Sequence, residues 1–166
     1  MLNIITGNVC SLLAMITDSV SSTRKSTKEV LLFQSISQVI YGVGTAILGG
    51  YSGAVQNFVS LLRNIFAMSG KKSKALEWLF VALGVVLGVA FNNLGFMGLL
   101  PVIANFQYTI AVFRFKDNER ALKISFLFCA AMFFCFNFAI YNAVGVVSNL
   151  IIFITTLIAV LKPKKK

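Results

Sequence analysis

The chain has 166 residues, of which 58% are hydrophobic and 12% charged, and its mean hydropathy is +0.86. Soluble domains carry about 25% charged and about 45–50% apolar residues, and a soluble fold of this size would lack the polar material to cover so much apolar surface. The soluble globular, disordered and disulfide-scaffold classes are excluded together, and the solvent that suits the chain is lipid.

A helical crossing needs about 20 mostly apolar residues, with roughly 17 as the lower limit. Candidate spans in chain order are 2–20, 30–48, 53–68, 75–91, 94–113, 121–141 and 143–161. The first opens at Leu2 with no basic stretch ahead of it, which predicts a retained span and not a cleaved leader. It carries Asp18 near its far end. The second bears Gln34, Ser35, Ser37, Gln38 and Tyr41. The third follows the uncharged turn Gly49-Gly50-Tyr51-Ser52 and holds Asn57 and Arg63. The fourth has Glu77 beside Trp78, read as an interfacial anchor, and Gly84 and Gly88 at a spacing that suits close helix contact. The fifth carries Pro101, then Asn105, Gln107 and Tyr108, a combination that suits a hinge or cavity wall. The sixth and seventh flank the uncharged turn Tyr141-Asn142-Ala143, and the seventh holds Asn149.

Net charge is +10, from 15 Lys+Arg against 5 Asp+Glu. The cations fall in four clusters: Arg24, Lys25 and Lys28; Lys71, Lys72 and Lys74; Arg114, Lys116, Arg120 and Lys123; and Lys162, Lys164, Lys165 and Lys166. They alternate with uncharged turns, as cytoplasmic loops do under the positive-inside rule, and this placement argues against a nucleic-acid partner. Seven crossings, with the N-terminus outside and the C-terminus cytoplasmic, put every cation except Arg63 on the inner face. Continuous apolar runs, without inside/outside alternation, exclude a barrel.

A shift of 92 positions lays the first three spans over the last three: Arg24 falls on Lys116, Lys28 on Arg120, and Gly53, Val55 and Asn57 on Gly145, Val147 and Asn149. The expected architecture is therefore all-α and integral to the membrane. A first three-helix unit (1–70) and a second, like-oriented one (94–166) are joined by a linker helix (71–93) within one polytopic domain. Parallel repeats about an axis along the membrane normal are a known transporter plan.

Polar side chains in a membrane mark partners or pathways. Asn57 and Asn149, one in each unit, could hold a small polar solute from two sides, with Gln38 and Gln107 as further candidates. The plainer alternative is interhelical hydrogen bonding. Asp18 and Arg63 sit at comparable depth and could neutralise each other. Otherwise Arg63 reaches to headgroups and Asp18 is solvated. Cys10, Cys129 and Cys135 show no CxxC spacing, and there is no histidine, so neither a metal nor another cofactor is expected. Without histidine or a pair of intramembrane carboxylates, acid–base catalysis has no agent, and the chain is not expected to be an enzyme.

The stretches Leu48-Gly49-Gly50-Tyr51-Ser52-Gly53-Ala54 running into Asn57, Leu62-Arg63-Asn64, Leu99-Leu100-Pro101-Val102-Ile103 and the region from Asn137 to Asn149 resemble the bacterial inner-membrane YgjV-type family. In hydropathy and repeat plan the chain also looks like the SWEET and PQ-loop transporters and the nicotinamide riboside carriers. The resemblance implies a SWEET-like fold, and in SWEET proteins asparagines on the third and seventh helices line the sugar pocket, which implies that role for Asn57 and Asn149. The Pro-Gln motif and the four-proline hinge of those transporters are missing, since the one proline within a span is Pro101. The leading expectation is a multi-pass inner-membrane transporter of a small polar solute, with the lipid bilayer and that solute as partners and self-association as a further option. The rival is a non-transporting scaffold that docks other helices through Gly84, Gly88 and the basic loops.

Overall fold

The computed structural model describes residues 1–22, 27–68, 73–115 and 118–161. Among them, regular structure is entirely helical: α1 (Leu2–Ser22), α2 (Thr27–Ile47), α3 (Tyr51–Met68), α4 (Lys74–Ala90), α5 (Phe96–Arg114), α6 (Glu119–Ala139) and α7 (Ala143–Leu161). Each falls on a predicted span to within a few residues. Arg24, Lys25, Lys71, Lys72, Lys116, Lys162, Lys164, Lys165 and Lys166, with the side chain of Lys28, lie outside the described residues. Two helices start where a side chain caps the first turn: Ser73 accepts from Leu76 N at 3.1 Å and Asn118 from Ala121 N at 3.1 Å.

Leu2–Val20, Arg120–Ala139 and Ala143–Leu161 are long and apolar enough to cross a membrane by themselves, and Phe96–Ala111 is a shorter apolar helix. The other helices are shorter or diluted by polar residues, and those residues face inward. Buried groups include Ser35, Ser37 and Thr45 on α2, and Ser52, Gln56, Ser60 and Asn64 on α3. Outward, α2 presents the stripe Leu32, Ile36, Val39 and Val43, and α3 presents Phe58, Ile65 and Phe66. In water this arrangement would be inside out. In lipid, apolar residues need no burial, and polar ones must find partners within the bundle.

The helices pack in a ring: α1 on α2, α2 on α3, α3 on α5, α5 on α6, α6 on α7 and α7 back on α1. Helix α4 packs against α3 and α5. One end of the bundle gathers the start of α1 and the three uncharged turns. There Asn8 Nδ2 donates to Tyr141 O at 3.0 Å, Val144 N donates to Asn8 Oδ1 at 3.0 Å, and Asn93 Nδ2 donates to Gly49 O at 2.7 Å. At the opposite end Arg114 Nε meets Glu77 Oε1 at 3.4 Å, and its guanidinium lies over the Trp78 ring at 5.8 Å. Trp78 thus does sit at the cationic end, stacked under an arginine.

The 92-residue shift recurs in the backbone. Helix α2 moved by 92 positions gives residues 119–139, the bounds of α6. In the α2–α3 turn, Gly49 N bonds to Ala46 O and Gly50 N to Thr45 O; in the α6–α7 turn, Tyr141 N bonds to Phe138 O and Asn142 N to Asn137 O. Each bond of one turn is the other's at the shifted position. Both turns pass through the left-handed region, with φ of 81° at Gly49 and 56° at Tyr141, the Schellman way of ending a helix.

Candidate functional site

A cavity of about 220 Å³ lies in the bundle, walled by six helices: Asp18 from α1; Gln38, Tyr41 and Thr45 from α2; Gly53, Asn57 and Arg63 from α3; Tyr108 from α5; Phe126, Cys129, Ala130, Phe133, Phe136 and Asn137 from α6; and Gly145, Ser148, Asn149 and Ile152 from α7. Helix α4 contributes nothing to this wall. A cavity of roughly 150 Å³ takes benzene, so this one has room for a solute of roughly nine non-hydrogen atoms.

Helix rise orders the lining by depth. Asn57 and Asn149 each lie six residues past the starts of their helices, Tyr51 and Ala143, so both are about 9 Å below the uncharged turns. Arg63 and Tyr108 lie twelve residues past Tyr51 and Phe96, about 18 Å down. Asp18 is ten residues past Asn8, which bonds to the α6–α7 turn, about 15 Å down. An amide layer therefore overlies a charged layer. Toward the turn end the Phe136 ring, only 1% exposed, forms part of the cavity wall. It reaches from α6 to rest on α3, where a Cβ on Gly50 or Gly53 would stand 2.7 and 2.5 Å from it. Only glycine leaves that seat open.

Much of the amide capacity in the cavity is unspent. The side chain of Asn57 forms no hydrogen bond among the described residues, and Gln38 Oε1 is buried without a partner. Asn149 Nδ2 donates to Gly145 O at 2.8 Å, which leaves its oxygen for the cavity. Of the four amides proposed from sequence, the structure brings Asn57, Asn149 and Gln38 together and excludes Gln107. Gln107 instead clasps α5 to α6: its Nε2 donates to Ser125 O at 2.9 Å and reaches Cys129 Sγ at 2.8 Å, while Ser125 Oγ donates to its Oε1 at 2.6 Å. Pro101 is buried away from the cavity as well, so it does not form part of the wall.

Asp18 and Arg63 face the same cavity without forming an ion pair with each other, one of the two arrangements considered for them. Helix α2 stands between α1 and α3, and its Ser37 Oγ donates to the Asp18 carboxylate. Arg63 turns the other way, donating from Nη1 to Thr109 Oγ1 of α5 at 3.3 Å, with its guanidinium 5.9 Å from the Tyr108 ring centre. Among the described residues the ion pair is Arg114–Glu77.

The glycine pair on α4 is used within the chain. Gln56, 1% exposed, donates from Nε2 to Gly84 O at 2.8 Å and accepts on Oε1 from Asn105 Nδ2 at 2.9 Å. A Cβ on Gly88 would collide with Gln56 Nε2 and with Val102 Cγ2. Gly84 and Gly88 therefore bind α4 to α3 and α5, and this face is not free to dock another protein. Sequence reasoning missed Gln56 and the Phe136 seat. The glycine spacing signals a close approach without saying what approaches.

A helical bundle with an apolar exterior, polar side chains turned inward and a cavity of mixed lining defines the class: a helical membrane protein. Over residues 5–166 the chain matches the model of Imp-YgjV, bacterial inner membrane protein, and it belongs to that family. No curated protein and no solved structure matches the chain, and the comparisons do not show the expected likeness to SWEET-type transporters.

Proposed function

We propose that the chain is a multi-pass inner-membrane carrier that admits a small polar solute to a cavity between two like-oriented three-helix units, with α4 as linker. In this reading the N-terminus is outside and the C-terminus cytoplasmic, the partners are the bilayer and the solute, and the solute passes without chemical change. The observation that carries the reading is that Asn57 and Asn149 enter one cavity at one depth from α3 and α7. The ring order supports the two-unit plan, since advancing α1, α2 and α3 to α5, α6 and α7 returns the same set of packed pairs. The repeated turn geometry at the 92-residue shift supports it too.

Counterflow in vesicles tests it, with labelled glycerol, glucose, L-alanine and L-glutamine as probes. For the probe that passes, Asn57→Leu and Asn149→Leu each lower the rate about tenfold, the worth of one hydrogen bond of about 1.4 kcal/mol. Wild-type rates for both variants, with helical content and unfolding temperature unchanged, would refute the reading.

A further inference from the structure

We infer that the solute is a small zwitterion, bearing one carboxylate and one ammonium group, with the carboxylate on Arg63 and the ammonium on Asp18. This rests on the carrier reading of the same cavity and names the chemistry that the cavity selects.

The argument is one of charge and unfilled bonding capacity. Among the described residues the lining holds one guanidinium and one carboxylate, and its other side chains are amides, hydroxyls, a thiol, aromatic rings and small or aliphatic groups. A guanidinium offers five N–H donors; Arg63 commits Nη1 to Thr109, and Tyr108 beneath it offers a ring face. A carboxylate has about four acceptor positions; Asp18 receives the Ser37 hydroxyl. Both charges are therefore held at known places, at similar depth, without cancelling each other. Charges away from water are costly until matched.

Four kinds of solute can be compared. A polyol meets the amides and leaves both charges unmatched. An anion answers Arg63 and brings a second negative charge toward Asp18. A cation does the reverse. A zwitterion alone neutralises both charges and adds no net charge to a cavity whose described lining sums to zero. Arginine receives a carboxylate through two parallel hydrogen bonds, which fixes its orientation. The rest of the solute then points into the amide layer, where the Asn57 side chain and the buried oxygen of Gln38 have no hydrogen-bond partner among the described residues. The volume sets the size, close to that of a small α-amino acid.

The test uses the full chain, purified in detergent and reconstituted, with four probes of about six to nine non-hydrogen atoms, all within the room of the cavity: L-alanine, N-acetyl-L-alanine, L-alaninamide and glycerol. Ligand-induced shifts of the unfolding temperature measure binding, and counterflow measures passage. The expected result is that wild type takes L-alanine over each of the others by about tenfold or more, the worth of a matched charge. Asp18→Asn then moves the preference to the anionic N-acetyl-L-alanine, and Arg63→Gln moves it to the cationic L-alaninamide. Loss of a merely structural residue would weaken all four probes alike and exchange none, and that result would overturn the inference. A wild-type preference for glycerol, or equal uptake of the four, would overturn it without any variant. Glycerol passage that needs Asn57 and ignores Asp18 and Arg63 would remove the zwitterion and leave the carrier. L-Alanine binding without passage would remove the carrier and leave the zwitterion site.

Discussion

Replacing Gly88 by alanine puts a methyl group where Gln56 Nε2 and Val102 Cγ2 already lie, the second 2.6 Å from the new carbon. Neither neighbour can yield cheaply. Gln56 is pinned by its bond to Gly84 O at 2.8 Å and by Asn105 at 2.9 Å, and Val102 is 5% exposed. Overpacking costs about 1–3 kcal/mol, and detaching the buried Gln56 amide costs about 1–3 kcal/mol more. Alanine returns about 1 kcal/mol through helix propensity. The net expectation is a loss of roughly 1–5 kcal/mol by these terms. Gly84→Ala is the internal control. Its new carbon would stand 3.3 Å from Gln56 Oε1 and 3.9 Å from Val59 Cγ1, a crowding small enough for the propensity gain to offset. Thermal unfolding of the two variants in detergent, followed by helical circular dichroism, measures the difference. Equal stabilities, or a Gly84→Ala variant weaker than Gly88→Ala, would refute the account of how α4 is held.

Gln107→Leu removes the clasp between α5 and α6 while leaving the residues that line the cavity in place. It is expected to cost about 1–2 kcal/mol, typical of interhelical hydrogen bonds in membranes. Solute selectivity in the counterflow assay should stay as in wild type, and a changed order of preferred probes would show that Gln107 does reach the solute.

The helix count, the helix bounds and the 92-residue shift could be read from sequence because they rest on hydropathy and on turn residues, which act locally. What sequence left open was which face of each helix meets which neighbour. Gln56 and Asn57 are adjacent in sequence and about 100° apart on α3. The first faces α4 and α5, the second the cavity, and only the ring order tells them apart. Asn105 and Gln107 pose the same difficulty: both are amides on α5, one bonded toward α3 and the other toward α6. The Asp18–Arg63 pair failed for a related reason. Depth along the helix axis was legible, but the position of α2 between α1 and α3 was not, so Ser37 was never considered as the partner of Asp18.

The proposed sidedness of each end rests on the charge pattern together with the geometry. The start of α1 and the three turns share one end of the bundle, and the segments 48–52, 91–95 and 140–143 carry no ionisable cation. The exposed Arg114 and Arg120 lie toward the opposite end, on the connection between α5 and α6. Helices α2, α3 and α4 are too polar or too short to qualify as spans individually, and α5 counts only as a shorter apolar helix, yet each packs against a neighbour across the ring or at its flank. In the proposed reading they are carried through the bilayer as part of the bundle, with their polar faces turned inward. On that reading an odd number of passages separates the two ends of the chain. A fluorescent protein fused after Lys166 is expected to mature in the cytoplasm. Phosphatase placed between Asn92 and Gly95 is expected to be active outside, and a cysteine introduced at Asn3 should react with an impermeant maleimide in intact cells. Phosphatase that stays silent at that turn, or an Asn3→Cys label that appears only after lysis, would break the seven-passage topology, and with it the placement of Asn57 and Asn149 at one depth below a single outer surface.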